Sequence, residues 1–251
     1  WEWNHSRGQM SHPPERLRIL QQSDAGARRH EEATLDLGNT YAAEKNYATA
    51  RETCEKLTGP NKGTMAVEAL RLIGLSHAEQ QDYAAARATF QRWLALPLDN
   101  YWKEDAWLLI AGTHENEKSW DRAREAYQKL LMDEQTRSTR KVQAVLGIAR
   151  AHQAEKKPAE MLQAFQQLPA AFKSTGTRSP AEASELGKYR TSLTSQLRQM
   201  AANQGKMKEQ LPFAVALYRV AQQIQEAEIV RLGIATELGE LYFTHGMLPE
   251  A

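Results

Sequence analysis

Apolar side chains along this chain recur at helical spacing, and the spacing pattern itself repeats. Ala33, Leu37 and Tyr41 lie four residues apart and share one face of a helix. The same stretch opens a longer pattern: a small residue, Tyr or His three positions later, an aromatic, usually Ala, then a large residue. It reads Gly38, Tyr41, Tyr47, Ala50, Cys54, and then Gly74, His77, Tyr83, Ala86, Phe90. It reads again as Ala111, His114, Trp120, Ala123, Tyr127, and more loosely as Ala149, His152, Pro158, Met161, Phe165. The steps between copies are 36, 37 and 38 residues. A period of this size means one helical pair per copy, each stacked on the next.

The pattern and its turn residues predict helices over 27–45 and 47–57, 64–81 and 83–96, 102–118 and 120–132, and 138–156 and 158–168. Thr58-Gly59-Pro60-Asn61 and Pro97 close the first two pairs. Residues 1–26 read as an N-terminal extension, in which Pro13-Pro14-Glu15 starts a short helix. Residues 169–180, with Ser174-Thr175-Gly176-Thr177 and Ser179-Pro180, read as an exposed loop. Residues 181–251 hold an irregular fifth pair, with helices over 181–203 and 209–225, and a sixth copy beginning near Ile229. There Leu238, Gly239 and Tyr242 restore the small-then-Tyr spacing, and Leu248-Pro249-Glu250-Ala251 stand where a second helix would start. The array is therefore expected to continue beyond Ala251. The predicted fold is all-α: a right-handed α-solenoid of antiparallel helix pairs, four of them regular, over 27–168.

Composition agrees with a thin, extended structure. Apolar residues make up 41% of the chain and its mean hydropathy is −0.64, low for a protein built round one central core. The 32 basic and 31 acidic residues leave a formal net charge of +1, so there is no overall field for nucleic acid, and no nucleic-acid partner is expected. The sequence holds no run of about 18 apolar residues that would span a membrane. Its single cysteine, Cys54, cannot form an internal disulfide.

Read position by position, the copies resemble the tetratricopeptide repeat. Numbered from Val67, the second copy places Leu70, Ile73, Gly74, His77, Ala86 and Phe90 at the family's positions 4, 7, 8, 11, 20 and 24. Numbered from Glu104, the third places Trp107, Ile110, Ala111, His114, Ala123 and Tyr127 there. Small residues at 8 and 20 let the two helices approach, and large ones at 4, 11 and 24 fill the space around them. The repeats are longer than the usual 34 residues. In that length, and in the Pro after the second helix, they are similar to repeats of bacterial cell-envelope scaffolds.

The candidate chemistry is sparse. His77, His114 and His152 recur at one repeat position. Packed helices lie about 8–10 Å apart, whereas zinc needs ligand nitrogens at about 2 Å, so successive histidines cannot share one ion. They read as inter-helix fillers in place of the family's Tyr, and no metal or other cofactor is expected. His30-Glu31-Glu32 and His114-Glu115 lack the second His of a zinc-protease motif, and no phosphate loop or nucleophile elbow occurs. Cys54 stands at a core position. The reading is a non-catalytic protein.

The resemblance implies a protein-interaction scaffold or adaptor that binds partner proteins or peptide segments through its concave groove or its ends, as a member of a larger assembly. An alternative is the regulatory or substrate-recruiting arm of a larger enzyme. The family's groove, carried onto this chain, consists of Glu32, Leu35 and Asn39, then Glu68, Arg71 and Leu75, then Asp105 and Leu108, and last Gln143, Leu146 and Arg150. Leucines flanked by charges suit an amphipathic or extended peptide. The carboxylate clamp of chaperone-binding members is broken: Asn39 matches it, but Leu35, Asp105 and Leu109 replace its basic residues. The segment 170–208 is locally basic, with Lys173, Arg178, Lys188, Arg190, Arg198, Lys206 and Lys208 against Glu182 and Glu185, which raises an anionic partner as a further reading.

Overall fold

The structure, a computed structural model, describes residues 27–59, 62–173 and 179–247. The predicted short helix after Pro13, the Ser174–Thr177 turn and the Leu248–Ala251 helix start lie outside them. The described residues are helical, with no strand among them. The chain divides into two compact units, Trp1–Thr113 and His114–Ala251.

The first unit holds α1 (Ala27–Ala43), α2 (Tyr47–Glu55), α3 (Thr64–Glu79), α4 (Tyr83–Leu94) and most of α5 (Glu104–Asn116). Helix α1 packs on α2 and α3, α2 on α3, and α3 on α4. Loops of three residues join α1 to α2 and α3 to α4, which makes each pair antiparallel. Packing inside the pairs is close. A Cβ added to Gly38 would lie 2.2 Å from Cys54 Sγ, and one added to Gly74 would lie 2.2 Å from the Phe90 ring. The small residue of the pattern is thus the floor on which the large residue of the second helix rests. Trp93 packs edge-on against Phe90, with ring centroids 6.5 Å apart, and its indole N–H donates to the Trp102 carbonyl at 2.7 Å. That bond anchors a 3-10 turn at Asn100–Trp102, so α5 starts at Glu104 and not at Trp102.

The second unit holds the end of α5, then α6 (Trp120–Met132), α7 (Ser138–Ala154), α8 (Pro158–Phe165), α9 (Leu168–Phe172), α10 (Pro180–Gln204), α11 (Leu211–Ile224) and α12 (Glu228–Thr244). Helix α7 packs on α6, α8, α9 and α10, while α11 joins α10 to α12. Here Tyr127 of α6 presses on α7: a Cβ on Gly147 would lie 2.2 Å from its ring. Helix α9 lies within the stretch expected to be a loop. Pro169 reads as a breaker, but it occupies the first turn, where no N–H is needed. Leu168, Ala171 and Phe172 then fall at helical spacing and are buried. Ser179 caps α10 by accepting from the Glu182 N–H at 3.2 Å, which moves the helix start to Pro180.

One turn recurs at the ends of α1, α3, α5, α7 and α12. The backbone N–H groups of Asn46, Asp82, Ser119, Lys157 and Met247 donate to the carbonyls of Tyr41, His77, His114, His152 and Tyr242 at 2.8–3.0 Å. The residue before each donor is left-handed: Lys45, Gln81, Lys118 and Lys156 at φ 57–62°, and Gly246 at φ 67°. This is the Schellman closure of a helix. It adopts one geometry five times, although four of the five residues carry side chains at a backbone conformation that glycine tolerates best.

Candidate functional site

The three repeated histidines sit in matched settings within their own helix ends. Nδ1 of His77 lies 3.8 Å from Asp82, that of His114 lies 3.8 Å from Glu117, and that of His152 lies 3.9 Å from Glu155. His114 is buried and the other two are half-buried. Burial, and then the Arg51 guanidinium, hold His77 below its ordinary value; burial, and then Arg124, do the same for His152. At neutral pH both are uncharged fillers. Cys54 is fully buried beneath Gly38, and burial first, then Glu55, pushes its thiol up to about 12. A thiol so placed is no nucleophile. Among the described residues no group of three or more His, Cys, Asp or Glu is placed to hold a metal ion, and no helix is long and apolar enough to cross a membrane.

The groove positions fall outside the buried core in both units. In the first, Glu32 of α1 is exposed, and Leu35 and Asn39 are half-buried, as are Glu68, Arg71 and Leu75 of α3. Because α1 packs on α3, these six residues come from adjoining helices. Leu35 is also part of the seam between them, packed against Cys54, Leu57, Ala69, Leu72 and Ile73. The Arg71 Nε–H donates to Glu68 at 3.0 Å. Asp105 and Leu108 of α5 are half-buried.

In the second unit Gln143 and Leu146 are half-buried and Arg150 is exposed. Gln143 is engaged at both ends: its amide N–H donates to the Tyr189 hydroxyl of α10 at 2.6 Å, and its oxygen accepts from Arg140 at 3.0 Å. Arg150 lies 3.3 Å from Glu115 and 3.4 Å from the Tyr127 hydroxyl. Burial and the Glu115 carboxylate raise the Tyr127 phenol, which stays neutral.

A second series emerges only in three dimensions. The alanine of the pattern is followed by arginine in the first three copies: Arg51, Arg87 and Arg124. Arg51 reaches Gln80 at 2.6 Å, Arg124 reaches Glu155 at 2.5 Å, and Arg87 lies 3.4 Å from Thr113. Each clips a second helix to the first helix of the next pair. Arg124 holds the Glu155 carboxyl below the usual carboxylate range, with Lys157 3.2 Å away. In the first unit Arg92 of α4 grips Glu55 of α2 through two bonds, at 2.5 and 3.3 Å. The signal for the arginine series was the Ala-Arg dipeptide at the repeat interval, hidden because each arginine alone looks like solvated surface.

The basic stretch 170–208 divides in the structure. Arg190 pairs with Glu226 at 2.7 Å and lies 5.2 Å over the Phe172 ring, and Arg198 pairs with Glu237. Lys173, Lys188, Lys206 and Lys208 are exposed, and Arg178 lies outside the described residues. The two arginines therefore serve packing between helices.

Residues 68–94, which run from the middle of α3 to the end of α4, match the model of the tetratricopeptide repeat family. No curated protein matches the chain. Among solved structures it is similar to MamA, at 21% identity and TM-score 0.47 over 63% of this chain and 85% of that one. It is also similar to YrrB, described as a tetratricopeptide repeat protein with an unusual peptide-binding site, at 13% identity and TM-score 0.44 over 90% and 98%. The family match falls on the pair in which Phe90 rests on Gly74, and the same packing recurs as Cys54 on Gly38 in the pair before: residues 68–94 carry a tetratricopeptide repeat within a chain of helical pairs.

Proposed function

We propose that this protein is a non-catalytic scaffold or adaptor that holds a partner protein by an extended or amphipathic segment laid along the first helices of its pairs. The observation that supports the reading is the paired row on adjoining α1 and α3. Leu35 and Leu75 offer apolar contact there, and Glu32, Asn39, Glu68 and Arg71 stand beside them, all at least partly open to solvent. Asp105 and Leu108 in the first unit, and Gln143, Leu146 and Arg150 in the second, are the further positions proposed to contact partners. Mixed apolar and charged rows of this kind recognise peptides by burying anchor side chains while the charges fix orientation.

The test is recovery of co-purifying proteins, identified by mass spectrometry, with the native chain and with Arg71→Glu and Leu75→Glu together. Partner recovery is expected to fall at least fivefold with the fold unchanged by circular dichroism. Recovery equal to that of the native chain rejects binding along α1 and α3. The single variant Arg150→Glu then reports separately on the α7 row.

A further inference from the structure

The charges along α1 and α3 are uneven. Glu68, Arg71, Leu75 and Glu79 follow at steps of three and four, so they share one side of α3. With Glu32 of the adjoining α1, the described side chains of this row hold three acids against one base. The base is already taken, because the Arg71 Nε–H donates to Glu68 at 3.0 Å. Glu79 is the last residue of α3 and is exposed. A carboxylate at that end of a helix faces the negative pole of the helix dipole, so the fold gains nothing from it. Asp105 of α5 adds a further acid to the first-helix positions of the same unit. The α7 row of the second unit is different, since its Arg150 is matched by Glu115 at 3.3 Å.

We propose that the row on α1 and α3 takes a basic amphipathic segment of a partner protein, with lysines or arginines set against Glu32, Glu68 and Glu79 and apolar side chains on Leu35 and Leu75. The proposal rests on the scaffold reading of this row and adds the chemistry of its occupant. Charge complementarity favours a partner over this chain. Residues 1–26 carry Arg7, Arg16 and Arg18 against Glu2, Glu15 and Asp24, and so bring no excess positive charge. A second copy brings a formal net charge of only +1. Exposed charges of this kind select the partner and speed its approach more than they tighten it, while the leucines supply the buried contact.

The probe is a fluorescein-labelled peptide of leucines and lysines at helical spacing, titrated by anisotropy against the whole chain at low salt. Its control is the same peptide with glutamate for every lysine. Saturable binding of the lysine peptide is expected, at least tenfold tighter than that of the glutamate peptide and weakened by added salt. Glu68→Gln with Glu79→Gln should weaken it at least fivefold. Glu44→Gln with Glu52→Gln, which removes two exposed acids away from the row, should leave it unchanged. All four changes are isosteric, so circular dichroism should match that of the native chain. Absence of saturable binding, or equal weakening by the two pairs of changes, overturns the proposal. Equal binding of both peptides, with both weakened by Leu75→Ser, overturns the preference for basic segments but keeps the row as a binding face. Displacement of the probe by a peptide of residues 12–26 at similar affinity gives the row to the chain's own residues and overturns the partner. Self-association in sedimentation that Glu68→Gln with Glu79→Gln abolishes puts a second copy there, with the same consequence.

Discussion

Gly74 and Gly239 hold the same place in α3 and α12, and their surroundings are opposite. Around Gly74 the α3–α4 pair is closed: Phe90 fills the place of a Cβ, Trp93 packs edge-on against Phe90, and eight residues of α3 are buried. Among the described residues nothing lies within 4 Å of a Cβ added to Gly239, and α12, one residue longer than α3, buries Ile234 alone. The sequence pattern of the two helices is alike, so the difference lies in the partner helix. A first helix of this type cannot bury its outer face by itself, and its packing energy comes from the second helix laid over it.

The comparison is open to attack through substitutions, taken from the largest effect down. Phe90→Ala, which empties the space over Gly74, should lower unfolding stability by about 3–5 kcal/mol in urea titration. Phe243→Ala, an aromatic of similar size on the open face, should change it by no more than about 0.5 kcal/mol. Equal losses would show that α12 is covered. Gly74→Ala forces a Cβ against the Phe90 ring and should cost about 1–3 kcal/mol. The identical change at Gly239 should instead stabilise by about 0.5–1 kcal/mol, because alanine replaces glycine in an exposed helix interior. The opposite signs of one substitution at equivalent positions are the sharpest check on the reading.

A smaller effect separates the ends of the first helices. Lys118 is left-handed at φ 57°, where Gly246 serves in α12. Lys118→Gly should therefore stabilise by roughly 1 kcal/mol in thermal unfolding, and a loss would show that the lysine side chain contributes more than its backbone strain costs. The smallest effect is with pH. His77 and His152 are held below the ordinary value of 6.5 in the folded chain, so unfolded chains take up protons first as pH falls. Stability should rise with pH through the window just below 6.5 and level off above it. His77→Gln with His152→Gln should flatten that slope. Helix α12 carries Tyr242 in the same place, so the exchange protection of its amides should lack this component.

Much of the fold could be read from residue types alone. The helix boundaries agree to within three residues for the regular pairs, because small, aromatic and alanine positions mark both ends of each contact. Leu168, Ala171 and Phe172 were hidden behind Pro169, since proline tolerated in a first turn looks the same as proline that breaks a helix. The candidate face was legible as positions but not as contacts. Leu35 belongs as much to a seam as to a surface, and Gln143 is held by Tyr189, a residue far along the chain on α10. The roles of Arg51 and Arg124 are not legible for the same reason: their partners, Gln80 and Glu155, lie on the next pair.

The sequence by itself determined that the chain is a series of helical pairs, where the helices of the regular pairs start and stop to within about three residues, and which side of each helix seeks cover. These follow from local propensity and from periodicity, which act over a few residues. Only the tertiary structure decided which faces receive cover. Phe90 rests on Gly74 and no described residue rests on Gly239; Arg190 and Arg198 are engaged by Glu226 and Glu237 while neighbouring lysines stay exposed. Burial depends on what another part of the chain brings into contact, and no local pattern carries that information.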